Sequence, residues 1–238
     1  MKEFLVVGNL KSNMLVKDIS NYLNKMKVIE DKNVVIFPAA IYIPYFLKNG
    51  YSVGSQTVFF KEGSYTGEIS PMQLASMGID YVMIGHSDRR IYFNETDSDI
   101  NKKILECLKY NLKIILCVGE TNEDKNMLRT TRVLKKQITY ALRNVDNFDN
   151  IIIAYEPVWA IGTNITPSIN DIKSACLYIK EIVEKQFKKD NIKVLYGGSV
   201  TSKNINEINQ IEELSGVLVG MSATDPDEFI DIINNVKL

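Results

Sequence analysis

Two kinds of segment alternate along this chain. Short β-branched runs that end in small or polar residues recur eight times: Phe4 to Gly8, Val34 to Phe37, Tyr51 to Ser55, Tyr81 to Gly85, Lys113 to Val118, Ile151 to Tyr155, Lys193 to Tyr196 and Val217 to Gly220. Each is followed by a longer, charged stretch in which apolar residues return every three or four positions. The pattern is plainest over Asp97 to Tyr110, Glu123 to Leu142 and Ser168 to Lys188, and Ser168 stands where a helix N-cap belongs. Runs such as Ile151-Ile152-Ile153-Ala154 are apolar on both faces, as a parallel strand is when helices cover one side and packed side chains the other.

Eight such units predict a closed (β/α)8 barrel of parallel strands, with residues 1–238 forming a single domain. A barrel of this kind takes about 250 residues, and no Pro/Gly/Ser-rich linker divides the chain. The alternative is a doubly wound open sheet, whose Gly-x-Gly-x-x-Gly turn after the first strand is replaced here by Gly8-Asn9-Leu10-Lys11.

Composition narrows the function. Hydrophobic residues at 45% and charged residues at 24% describe a soluble globular chain, and a net charge of -1 supplies no global field for nucleic acid or an anionic membrane. An anionic ligand must therefore be bound locally. The three cysteines, Cys107, Cys117 and Cys176, have no metal-ligand or disulfide spacing, and a single histidine cannot complete a zinc site. These features, with no signal peptide or membrane-length apolar run, predict a cytoplasmic protein without a structural metal.

In a barrel the chemistry collects at the carboxyl ends of the strands. The polar residues there are Asn9 and Lys11 after the first run, His86 after the fourth, Cys117 and Glu120 at the fifth, Glu156 after the sixth, Gly197-Gly198-Ser199 after the seventh and Gly220 after the eighth. Glu156 precedes Pro157 and the apolar Val158-Trp159-Ala160-Ile161-Gly162, and a carboxylate closed off from water beside such a loop becomes an effective base. His86 opens a predicted helix whose positive end favours a neutral imidazole able to donate to a carbonyl. Lys11 supplies a cation for an enediolate or a phosphate. Taken singly, a solvated glutamate, a structural histidine and a surface lysine would look the same; only their shared strand-end placement joins them. The glycines after the last two runs fall where barrels bind phosphate through backbone amides.

Four segments in order, Tyr81 to Arg90 with its Gly85-His86-Ser87, Cys117-Val118-Gly119-Glu120-Thr121, Ala154 to Thr163 with its Glu156-Pro157-Val158-Trp159, and Tyr196-Gly197-Gly198-Ser199-Val200, resemble the triosephosphate isomerase family over nearly the whole chain. The resemblance implies a TIM barrel that interconverts glyceraldehyde 3-phosphate and dihydroxyacetone phosphate without cofactor or metal. It implies Glu156 as base, His86 as proton shuttle, Lys11 and Asn9 as electrostatic partners, and Gly162, Ser199, Gly220 and Met221 as phosphate ligands through their amides. It also implies a lid over Pro157 to Thr166 and a homodimer formed through the loop Gln56 to Glu68, which carries Thr66. Val58-Phe59-Phe60 in that loop would be awkward to expose. Another barrel isomerase or lyase for a different sugar phosphate, and an inactive scaffold of the same fold, are the rival readings.

Several positions depart from the family pattern. Asp88 replaces a glutamate and is one methylene short of reaching the lysine in the same way. The trailing lid segment reads Asn164-Ile165-Thr166-Pro167, stiffer than the family's glycine-containing version. Met221 replaces a glycine, so its side chain must find room away from the phosphate. Leu10 and Asn94 replace a tryptophan and a glycine respectively.

Overall fold

The structure, a computed structural model, describes residues 4–27, 33–163 and 165–236. Eight parallel strands run β1 Leu5–Asn9, β2 Val34–Phe37, β3 Gly54–Ser55, β4 Tyr81–Ile84, β5 Lys113–Val118, β6 Ile151–Tyr155, β7 Lys193–Tyr196 and β8 Gly216–Val219. They pair in the order β2-β1-β8-β7-β6-β5-β4-β3. The ring closes between β2 and β3 through a single parallel bridge, Ile36 to Val53, with the Ile36 amide donating to the Ser52 carbonyl at 3.0 Å. Among the described residues no helix is long and apolar enough to cross a membrane.

Strand parity places the core and, beyond it, the candidate site. Val7, Phe37, Met83, Ile115, Ile152, Ala154, Leu195 and Leu218 point into the barrel and pack on one another. Their strand neighbours, among them Val6, Ile36, Ile114, Leu116, Ile153 and Val217, pack outward against the helices. Each fully buried side chain of this kind contributes about 1.5–3 kcal/mol, so the register is held from both faces. The same two-residue period carries Val7 to Asn9, Ala154 to Glu156, Leu195 to Gly197 and Leu218 to Gly220. Four positions at the carboxyl mouth therefore inherit their inward direction from the core.

Most predicted elements stand within a residue of where the pattern put them, and Ser168 caps Ile169–Phe187 by accepting from the Asp171 amide. Two differ. Of the run Tyr51 to Ser55 only Gly54–Ser55 joins the ladder as strand. The helix expected over Glu123 to Leu142 is two helices, Asn122–Asn126 and Thr130–Ala141. Leu128 turns into the left-handed region at φ 55°, and the Arg129 amide reaches back to the Asp124 carbonyl, which ends the first helix without any glycine or proline.

One turn escapes the parity rule. Inward alternation after Met83 would deliver Gly85, but its φ of +77° swings the chain so that His86 enters the mouth and starts the helix Ser87–Tyr92. A buried ion cluster steadies this segment. Glu95 accepts from Arg89 Nε at 2.7 Å and from Lys103 Nζ at 2.8 Å, and Lys103 also donates to Thr57 Oγ1, which ties in the loop after β3. Burial alone would push the Glu95 carboxyl up, but Lys103 and Arg89 outweigh it and hold the group below the ordinary carboxylate range. Its stabilisation is complete above the unfolded carboxylate pKa and fades as pH falls through the lowered value of the folded protein. Glu95→Ala leaves the buried Lys103 ammonium without its counter-charge. Urea unfolding at neutral pH is expected to show a loss of about 3–5 kcal/mol, and a loss under about 1 kcal/mol, the scale of an exposed pair, would contradict this role.

Candidate active site

Asn9, Lys11, His86, Glu156, Gly162, Ser199, Gly220 and Met221, drawn from the ends of five strands and the lid, all line one cavity of about 110 Å³ at the carboxyl mouth of the barrel. The parity rule delivers Asn9 and Glu156; both are buried, as is His86.

The direction of the hydrogen bonds fixes the imidazole. The Asp88 backbone N–H donates to His86 Nδ1 at 3.1 Å, so Nδ1 holds a lone pair and the ring hydrogen sits on Nε2. Nε2 faces Glu156 Oε1 at 3.2 Å. The other carboxylate oxygen, Oε2, accepts from the Ser87 amide at 3.4 Å. Gly197 makes room for this carboxylate: a Cβ there would stand 2.8 Å from Glu156 Cγ. On the barrel side lies Cys117, whose thiol is pushed well above its usual range by burial and then by the Glu156 charge. It remains an S–H group beside the Glu156 carboxylate.

Lys11 is held in a conformation that it would not adopt alone. Its φ is +50°, a region costing roughly 1 kcal/mol for a residue with a Cβ. The Gln56 side-chain amide donates both to the Lys11 carbonyl at 2.8 Å and to the Phe37 carbonyl at 2.9 Å, and the Lys11 amide donates to Asn9 Oδ1 at 3.1 Å. Lys11 Nζ lies 3.0 Å from Asp88 Oδ2. The shorter acid therefore does reach the lysine, contrary to the expectation from its length, because the helix starting at Ser87 brings it close.

The candidate lid leaves β6 through Pro157 and the 3₁₀ turn Val158–Ala160. Trp159 Nε1 donates to Glu120 Oε1 at 2.8 Å, the Tyr155 hydroxyl donates to the same carboxylate at 3.2 Å, and Lys125 lies over the Trp159 ring. Ser199 Oγ donates to the Ala160 carbonyl at 2.7 Å, linking the lid to the turn after β7. On the trailing side Asn204 Nδ2 reaches Thr166 Oγ1 at 3.4 Å, and Pro167 is buried directly before the Ser168 cap; Asn164 of that hinge lies outside the described residues. Met221 solves its packing problem by turning outward: it is 60% exposed, and its sulfur receives the Asn13 side-chain amide at 3.8 Å.

Two supporting residues were not legible as such. Gln56 marked only the start of a loop, and Glu120 stood at a strand end with no partner apparent. Their contacts run to residues 45 and 39 positions away, a distance that local pattern does not span. Among the described residues no group of three or more His, Cys, Asp or Glu is arranged to hold a metal ion.

A closed β/α barrel whose mouth gathers a carboxylate, an imidazole and an ammonium around a small cavity is by class an acid–base enzyme. The family profile described as Triosephosphate isomerase matches residues 4–236. Proteins named triosephosphate isomerase from Alkaliphilus oremlandii, Thermodesulfovibrio yellowstonii and Finegoldia magna are 36%, 37% and 37% identical, over 98%, 98% and 100% of this chain and 100%, 99% and 100% of their own lengths. This chain belongs to the triosephosphate isomerase family.

Trp159 is the one tryptophan of the chain, so its fluorescence reports on the lid anchor. Burial pushes the Glu120 carboxyl above the ordinary carboxylate range, with the Trp159 and Tyr155 hydrogen bonds only partly offsetting it. As pH falls, Glu120 is expected to take up its proton earlier than an exposed glutamate, with a shift in Trp159 emission that Glu120→Gln abolishes. An acid transition that persists unchanged in Glu120→Gln would contradict the assignment.

Proposed function

We propose that this chain interconverts D-glyceraldehyde 3-phosphate and dihydroxyacetone phosphate through an enediolate, a step of glycolysis and gluconeogenesis, with no cofactor or metal. The observation that carries this reading is the Glu156–His86 contact of 3.2 Å inside the cavity that Lys11 also lines. The substrate phosphate is received by the backbone amides of Gly162, Ser199, Gly220 and Met221, which puts the carbonyl and its neighbouring carbon beside Glu156. Glu156 leaves the His86 and Ser87 contacts and takes the proton from the carbon next to the carbonyl, while His86 Nε2–H donates to the carbonyl oxygen. The Lys11 ammonium, with Asn9, stabilises the negative charge that develops. His86 then carries a proton between the two oxygens, and Glu156 returns its proton to the adjacent carbon, so that nothing is gained or lost overall. The family is itself the standard worked case of a glutamate base with a neutral histidine. Closure of the lid over Pro157 to Thr166 excludes water and suppresses loss of phosphate from the enediolate.

The chain acts as one barrel domain, and the reading includes a homodimer in the cytoplasm. Val58 is buried and Phe59 stacks between Phe60 and Tyr65, so the loop around Thr66 carries its own small core and presents a shaped tip. The segments after β2 and β4, neighbours of this one in the ring, and after β1, next beyond β2, expose Ile41, Tyr92, Phe93 and Val16, an apolar surface that a second copy would cover. Three free, buried cysteines suit a reducing compartment.

A coupled assay on glyceraldehyde 3-phosphate is expected to show turnover by the wild-type chain, and Glu156→Asp, which draws the carboxylate back by one methylene, should lower kcat about 100-fold or more. Absence of wild-type turnover would defeat the enzyme reading, and unchanged turnover in Glu156→Asp would defeat the choice of base. Sedimentation should give twice the 27.0 kDa chain mass; a monomer at all concentrations would refute the dimer.

A further inference from the structure

We infer that Met221 is a site of reversible oxidation that weakens phosphate binding, an inference that rests on the phosphate site proposed above. Among the described residues Met221 is the most exposed methionine, at 60% against 49% for Met127, and methionine oxidation follows exposure. It is also the one exposed methionine on the cavity that holds Ser199 and Gly220. Its backbone is fixed while its side chain is not. The Ala223 amide donates to the Gly220 carbonyl at 2.9 Å and Thr224 Oγ1 to the Met221 carbonyl at 2.7 Å, whereas the thioether receives a weak hydrogen bond from Asn13 Nδ2 at 3.8 Å.

That contact joins the two halves of the site. Asn13 also donates to the Leu10 carbonyl at 3.2 Å, so it links the loop that carries Lys11 to the turn that carries the phosphate amides. Oxidation by a peroxide transfers one oxygen atom: the O–O bond of hydrogen peroxide breaks, an S–O bond forms, sulfur gives up two electrons and the peroxide leaves as water. The product is polar, and its oxygen bears partial negative charge and accepts hydrogen bonds far better than a thioether does. Placed at the rim of a site built for a phosphate dianion, it repels the ligand and draws the Asn13 amide toward itself. Substrate binding weakens while the Glu156–His86 contact, which involves neither Met221 nor Asn13, is left intact.

Graded hydrogen peroxide treatment, followed by peptide mass spectrometry and by KM and kcat on glyceraldehyde 3-phosphate, tests this. Met221 sulfoxide should form ahead of Met127 sulfoxide and more slowly when inorganic phosphate is present. KM should rise about fivefold with kcat changed by less than about twofold, and a methionine sulfoxide reductase should restore it. Each variant is read against its own untreated state: Met221→Leu should lose the response to peroxide, and Met127→Leu should keep it. Equal oxidation of Met221 and Met127, no protection by phosphate, or an unchanged KM with Met221 fully oxidised would overturn the inference. An untreated chain without turnover would count against the proposed activity, and protection of Met221 by phosphate would still be read directly from the peptides.

Discussion

The hydrogen bond from the Asp88 backbone amide to His86 Nδ1 decides what the rest of the mouth is able to do. An imidazole has two nitrogens and, when neutral, one hydrogen. Committing Nδ1 as acceptor forces the hydrogen to Nε2, the nitrogen that faces Glu156 and the cavity. Reversing that choice would set a hydrogen against the Asp88 N–H and leave the inner nitrogen facing a carboxylate with only a lone pair. The contact exists because Gly85 turns in the left-handed region and because a helix begins at Ser87, so a glycine and a helix start together determine which proton His86 offers.

The other members depend on constraints of the same kind. Lys11 sits in a backbone region that costs roughly 1 kcal/mol, and the two hydrogen bonds from Gln56, each worth about 1 kcal/mol net, more than offset it. Asp88 serves twice, its amide orienting the histidine and its carboxylate engaging Lys11, which couples His86 to Lys11 through one residue. Glu156 is aimed by strand parity from Ala154 and given space by Gly197. Glu156 therefore stands on a strand end and His86 on the turn that follows one, while the segment from Val158 onward rests on polar contacts to Glu120 and Ser199.

Much of this was legible in the sequence because it follows from short-range periodicity. Eight apolar runs define the strands, and at or just past their carboxyl ends lie seven of the eight predicted residues that line the cavity, the eighth being the lid glycine Gly162. Illegible features came from contacts distant along the chain or from backbone choices that composition does not mark. Leu128 breaks a helix in a left-handed conformation that no glycine advertises. Most of the run Tyr51 to Ser55 stays out of the ladder, although Tyr51 and Val53 are good strand formers, and the two residues that join as strand are Gly54 and Ser55. Asp88 seemed too short to reach Lys11, since residue size was visible and the approach of the helix that carries it was not. The roles of Gln56 and Glu120 required the closed ring, which lets the loop after β3 reach that after β1 across the end of β2 and sets the loops after β5 and β6 side by side.

Because the chain contains a single histidine, ¹⁵N NMR of histidine-labelled protein at neutral pH reads the central contact without assignment ambiguity. The account predicts a ring with its hydrogen on Nε2 and a hydrogen-bonded lone pair on Nδ1, retained when inorganic phosphate is added. A ring carrying its hydrogen on Nδ1 would contradict it.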